Sequence, residues 1–192
     1  MTASDEQLIQ RLQKRSTKLS GVDEFPAITA KELQIAERAV GFKFPEVLRG
    51  IYLNVGNGGF GPEYGIVGTK GGARRDGCTL ETCYQKMLEL EMENPVWRWP
   101  TRLLPLAEYG CGMWGCVDCE YKKLPMILWD PNNLNSEFKG ADAKQNWGNS
   151  FWDIGQPFRT WLQSWLVEKQ QPEPKWPSDS WMKKRLGFTW PN

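Results

Sequence analysis

Apolar residues recur at helical spacing through the first half of the chain and give way to short, strand-like runs in the second. Leu8, Ile9, Leu12 and Leu19 follow Ser4 and Gln7, a pair with capping-box spacing, so a first helix is predicted, closed by Gly21. Thr29 and Glu32 mark a second start. Leu33, Ile35, Ala36, Ala39 and Val40 follow, and Gly41 stands where a left-handed glycine ends a helix. Pro45 opens a third helix with Val47, Leu48, Ile51, Tyr52 and Val55 on its apolar side. Thr79 starts a fourth, which carries Leu80, Cys83, Met87 and Leu90 and ends before Pro95.

The period then changes. Tyr64 to Gly68 is a short strand candidate, and residues 69–77 form an exposed loop. Leu103 to Leu106, Met113 to Cys119 and Met126 to Trp129 are predicted strands joined by Gly-rich or Lys-rich turns. Asp130 to Asn133 is a turn, and 134–146 is expected to be a long polar loop. A returning helix carries Phe158, Trp161, Leu162, Trp165 and Leu166. Residues 170–178 read as a Pro-rich linker to a short helix from Asp179 to Leu186, whose Lys183, Lys184 and Arg185 complement the helix dipole. Helices first, a strand meander and a returning helix predict an α+β fold, a mainly antiparallel sheet flanked by helices. The expected divisions are an N-terminal helix (1–24), one domain (25–169), and the linker with its helix (170–192).

Composition narrows the chemistry. The chain carries 24 basic and 23 acidic residues, a balance that does not call for a nucleic-acid partner. No apolar stretch approaches a membrane span, and Met1 to Leu19 lacks the apolar run of a secretory leader. Five cysteines, an odd number, suit free thiols in a reducing compartment, so a cytoplasmic location is expected. Histidine is absent, which removes the usual general base near neutral pH and the commonest metal ligand. Tryptophan occurs 11 times, as large core residues or as anchors for a carbohydrate or a protein partner.

Residues 56–61, Gly-Asn-Gly-Gly-Phe-Gly, formally satisfy G-x-G-x-x-G. That fingerprint binds a dinucleotide when it follows a strand and opens a helix; here it follows a helix. The glycines therefore read as a helix stop and a tight turn, with no cofactor implied. In order, the helix Glu32 to Val40, the run Gly41-Phe42-Lys43-Phe44-Pro45-Glu46-Val47-Leu48-Arg49, Tyr52 and the Asn57-Gly58-Gly59 turn resemble the N-terminal signature of the SUKH superfamily, relatives of the fungal Smi/Knr cell-wall regulators. Leu104 to Glu108, Cys116-Val117-Asp118 and Ile127 to Asp130 look like the family's three consecutive strands, and Asn149-Ser150-Phe151 resembles its closing element. The likeness spans roughly residues 25–167. It departs where Trp152 to Pro157 replace the acidic start of the closing helix. Most bacterial members are immunity proteins, so the resemblance implies a non-enzymatic protein that binds and neutralises a cognate toxin by stoichiometric association.

Cys78, Cys83, Cys116 and Cys119 supply the four thiolates of a structural zinc site, but strand alternation sends Cys116 and Cys119 to opposite faces. Loop 68–75 offers glycines and cations to an anion but lacks the P-loop order. Glu108, Asp118, Glu120 and Asp130 lie on or near strands, and a carboxylate-dependent, carbohydrate-active hydrolase using Glu108 and Asp118 is the alternative function. A scaffold docking a cellular partner is a third. The candidate partner contacts are Phe60, Tyr64, Met113 and Trp114, large apolar residues beside glycine turns, extended by Trp97 and Trp99 next to Pro95 and Pro100. Ordinary packing is the competing account of the last two.

Overall fold

The computed structural model describes residues 2–18 and 25–187; Leu19 and Gly21 lie outside them. Helix α1 (Ala3–Ser16) is capped two residues earlier than expected, on a Thr2–Asp5 capping box instead of Ser4–Gln7. Helices α2 (Ala30–Val40) and α3 (Glu46–Asn54) follow, α2 running from the Thr29–Glu32 box to Gly41 at φ 85°. Glu37 of α2 is buried and ties the two together. Its Oε1 accepts from the Phe44 backbone N–H at 2.8 Å and from the Arg49 guanidinium. The Gly-Phe-Lys-Phe-Pro step is thus fixed by a carboxylate three residues before the helix ends. Helix α4 (Leu80–Glu93) packs against α2 and the sheet.

The sheet is an antiparallel meander, β1 (Leu103–Gly110), β2 (Met113–Asp118), β3 (Pro125–Trp129) and β4 (Phe151–Pro157), in that spatial order. β4 is the segment that sequence left between a turn and a helix. Between β3 and β4, the expected polar loop instead holds a 3-10 turn (Pro131–Asn133) and helix α5 (Gly140–Gly148). Residues 114–119 are buried without a break, so both faces of β2 are covered.

Both sheet edges are occupied. Beside β1, the strand expected at Tyr64 to Gly68 is reduced to a single bridge, Ile66 to Ala107, with Val67 N–H donating to the Leu106 carbonyl at 2.8 Å. Beside β4, Lys175 exchanges both backbone bonds with Asp153, at 2.6 and 2.8 Å, and Trp176 stacks on Trp152. The Pro-rich segment is therefore an edge cover, the role by which natural sheets avoid pairing with strangers.

Helices α6 (Phe158–Leu166) and α7 (Asp179–Leu186) complete the chain. Leu8, Ile9 and Leu12 of α1, and Trp181 and Met182 of α7, belong to the same buried cluster as the sheet. Each terminal helix is held by a buried aspartate. Asp5 accepts from Arg159 of α6 at 2.6 Å, and Asp118 of β2 accepts from Trp181 Nε1 at 2.9 Å and Arg185 Nε at 3.0 Å. Arg185 thus has a tertiary reason for its position beyond the helix dipole.

Candidate partner-binding site

The turn after α3 is built from backbone contacts. Asn57 Oδ1 accepts from the Thr69 N–H at 2.8 Å and the Thr69 hydroxyl at 3.1 Å, while the Asn57 carbonyl accepts from Ala73 N–H at 2.9 Å. A Cβ on Gly68 would stand 2.3 Å from the Asn57 carbonyl oxygen, and one on Gly72 2.4 Å from the Asn57 side chain. Glycine is needed there because two backbones touch. Loop 68–75 is consequently docked on the Asn57 turn through buried Gly68, Thr69, Gly72 and Ala73; of the exposed loop expected over 69–77, Lys70, Gly71, Arg74, Asp76 and Gly77 do face solvent. The Tyr52 hydroxyl reinforces it by donating to the Val67 carbonyl at 2.7 Å.

This rigid base presents Tyr64, which is 60% exposed, with its ring over Gly110 at the β1–β2 turn. The turn itself, Gly110-Cys111-Gly112, runs through three consecutive left-handed residues at φ 84°, 52° and 76°. Asn132 Nδ2 donates to the Cys111 carbonyl at 3.0 Å, and Pro131 packs beside Gly112. Glu63, next to Tyr64, is also left-handed at φ 56°. Non-glycine residues in that region are strained by about 1–2 kcal/mol each, and such strain gathers at binding tips held from both sides. Met113 follows the tip, half-buried.

The other expected contacts are corrected. Phe60, Trp97, Trp99 and Trp114 are all buried. Phe60 fills the inside of the Asn57–Ile66 turn, where its carbonyl accepts from Ile66 N–H at 2.7 Å. Trp97 stacks on Trp147; Trp99 stands edge-on to Trp129 and donates from Nε1 to the Leu103 carbonyl at 2.7 Å. Trp114 is paired across the ladders with Glu108 and Trp129. Tryptophans 97, 99, 129, 147 and 181 with Phe151 make an internal aromatic cluster, because two helices and a covered sheet leave a wide interior to fill.

The carboxylate pair is also corrected. Asp118 pairs with Leu103 and Glu108 with Trp114, so the two acids sit at opposite ends of the β1–β2 ladder. Asp118 is 0% exposed, and its oxygens are taken by Trp181, Arg185 and the Glu120 N–H. The cysteines at 78, 83, 116 and 119 are buried. Burial pushes the Cys83 and Cys116 thiols well up, and Cys119 to about 12, so they are protonated; Cys78, Cys116 and Cys119 donate from sulfur to nearby carbonyls. Among the described residues no three Cys, Asp or Glu side chains are placed to hold a metal ion, and no helix is long and apolar enough to cross a membrane.

Sequence reasoning missed a groove beside the tip. It measures about 520 Å³ and runs between α4 and the sheet end. Its floor is Cys83, Met87, Trp114 and Trp129; Asp76, Lys86, Glu89 and Glu93 stand on its rim. Met92, also lining it, is 75% exposed. The available signal was the acidic run before Pro95, read only as helix.

Residues 27–153 match the SMI1 / KNR4 family (SUKH-1). No curated protein and no solved structure matches the chain. The matched segment enters just before the Thr29 cap, takes in α2, α3, the docked Asn57 turn and three whole strands, and stops inside β4, leaving α1, α6 and α7 outside. Over more than half its length, and with the α+β architecture the sequence motifs imply, the chain belongs to the SMI1 / KNR4 family (SUKH-1).

Proposed function

We infer that this protein is an immunity protein that binds a cognate toxin stoichiometrically and neutralises it by covering its working surface. The observation that carries the reading is the family membership, since bacterial members of the family mostly act in this way and without catalysis. The surface offers a compatible means: a strained tip with exposed Tyr64 and half-buried Met113, seated on a base fixed by buried hydrogen bonds from Asn57 and Tyr52. Preorganisation suits a protein whose task is affinity. A neutral overall charge argues for a local, shape-defined contact over a wholesale mimic of nucleic acid.

The test is co-expression with the polypeptide encoded beside it. The expected result is that the neighbour arrests growth alone, that growth returns with this protein, and that the two co-purify at one to one. Toxicity that persists in its presence overturns the reading. A cell-free turnover assay that finds a reaction lost on Glu108→Gln would favour the hydrolase instead.

A further inference from the structure

We propose that the groove between α4 and the β2–β3 end is the seat of a basic, extended segment of the partner protein. The inference rests on the reading of a protein partner and adds its chemistry.

Three observations converge. First, the rim carries three carboxylates, Asp76, Glu89 and Glu93, against one ammonium, Lys86. Second, the acids are badly placed for the helix that bears them. Glu89, Glu91 and Glu93 occupy the last two turns of α4, which has no basic residue in its last turn, and a helix C-terminus disfavours negative charge. Glu91 has Arg98 at 3.8 Å, while Glu89 and Glu93 have no ion pair among the described residues. A cation laid along this rim relieves the repulsion, so local cost becomes binding energy. Third, Trp129 lines the groove and is buried, yet its indole N–H has no acceptor among the described residues. Buried donors are normally satisfied; this one is closed to water in the unoccupied groove, and a small shift of the groove wall on binding would let an occupant supply its acceptor.

These features specify the occupant. Lys or Arg side chains meet Glu89 and Glu93; an apolar side chain between them enters the floor of Met87 and Trp114; a backbone carbonyl accepts from Trp129 Nε1. An extended chain supplies all three: its apolar side chains face the floor, the long cationic ones on the opposite face bend onto the rim, and its carbonyls remain free. The acidic rim repels nucleic-acid phosphates and anionic lipid.

The test titrates the intact protein with two acetylated, amidated pentapeptides, Lys-Leu-Lys-Leu-Lys and Glu-Leu-Glu-Leu-Glu, following the tryptophan indole N–H resonances. The expected result is a shift of the Trp129 resonance by the basic peptide only, with affinity at least about tenfold above the acidic one and weakened by salt. Glu89→Lys with Glu93→Lys, both on exposed positions, should reverse the preference. Equal affinity for the two peptides, an unmoved Trp129 resonance, or self-association that buries the groove would overturn the proposal. In the co-expression assay, wild-type protection kept by the double variant sinks the groove alone. Absence of protection by the wild type sinks the immunity reading, and the titration still decides the groove.

Discussion

Arg185→Ala removes one partner from a carboxylate that has no access to water. Asp118 is fully buried and keeps only Trp181 Nε1 and the Glu120 N–H once the guanidinium is gone. Breaking a buried pair from one side typically costs about 3–5 kcal/mol, a large part of the roughly 5–15 kcal/mol that holds a domain folded. The chain has a local escape, which is to release α7 and let water reach Asp118. That route gives up the burial of Trp181 and Met182, about 1.5–3 kcal/mol each, so it lies in the same range. The variant is therefore expected to lose about 3 kcal/mol or more in urea unfolding, and α7 amides should exchange faster than those of β2. Trypsin should cut near Lys175, because the edge segment that pairs with Asp153 runs directly into α7. Lys184→Ala, one residue away over the Tyr121 ring and exposed, should cost less than about 1 kcal/mol. Asp118→Asn with Arg185→Met keeps an acceptor for Trp181 and should regain most of the loss. An Arg185→Ala protein within about 0.5 kcal/mol of wild type, and equally resistant to trypsin, would refute the reasoning.

Gly68→Ala should abolish folding or cost more than about 3 kcal/mol by thermal melting, since its Cβ meets the Asn57 carbonyl at 2.3 Å; Gly71→Ala, left-handed but facing open space, should cost about 1–2 kcal/mol. Asp5 is held down to about 2 from 3.8, chiefly by its hydrogen bond from Arg159. A depressed carboxylate stabilises above its ordinary value, so this contribution should be lost as pH falls from about 4 through about 2. Asp5→Asn should lose about 1–2 kcal/mol at neutral pH, allowing for the partly exposed guanidinium, and flatten acid unfolding in that window. Tyr64→Ala should weaken toxin capture with a melting temperature close to wild type, whereas Trp114→Ala should destabilise by about 3–5 kcal/mol, as calorimetry would show.

The sequence by itself determined what neighbours along the chain decide. The Thr29–Glu32 and Thr79 helix starts, Gly41 as a left-handed stop, and the order of the first three strands all rest on contacts within a few residues. Even the Asn57-Gly58-Gly59 turn was legible as a turn. Its reason was not, because Gly68 and Gly72 are glycines for the sake of Asn57, which reaches them only in the folded chain. The same holds for the site. Residues beside glycine turns looked exposed, yet Phe60 and Trp114 face inward and only Tyr64 stands well out, a matter of which side the neighbouring elements cover. Asp118 looked like a catalytic acid until Trp181 and Arg185, 63 and 67 residues away, closed over it. Asp5 and Arg159 meet across 154 residues. Local spacing encodes helices and turns because their bonds are short in sequence; burial, charge pairing and the groove belong to tertiary structure because their partners are brought together only by the collapse of the whole chain.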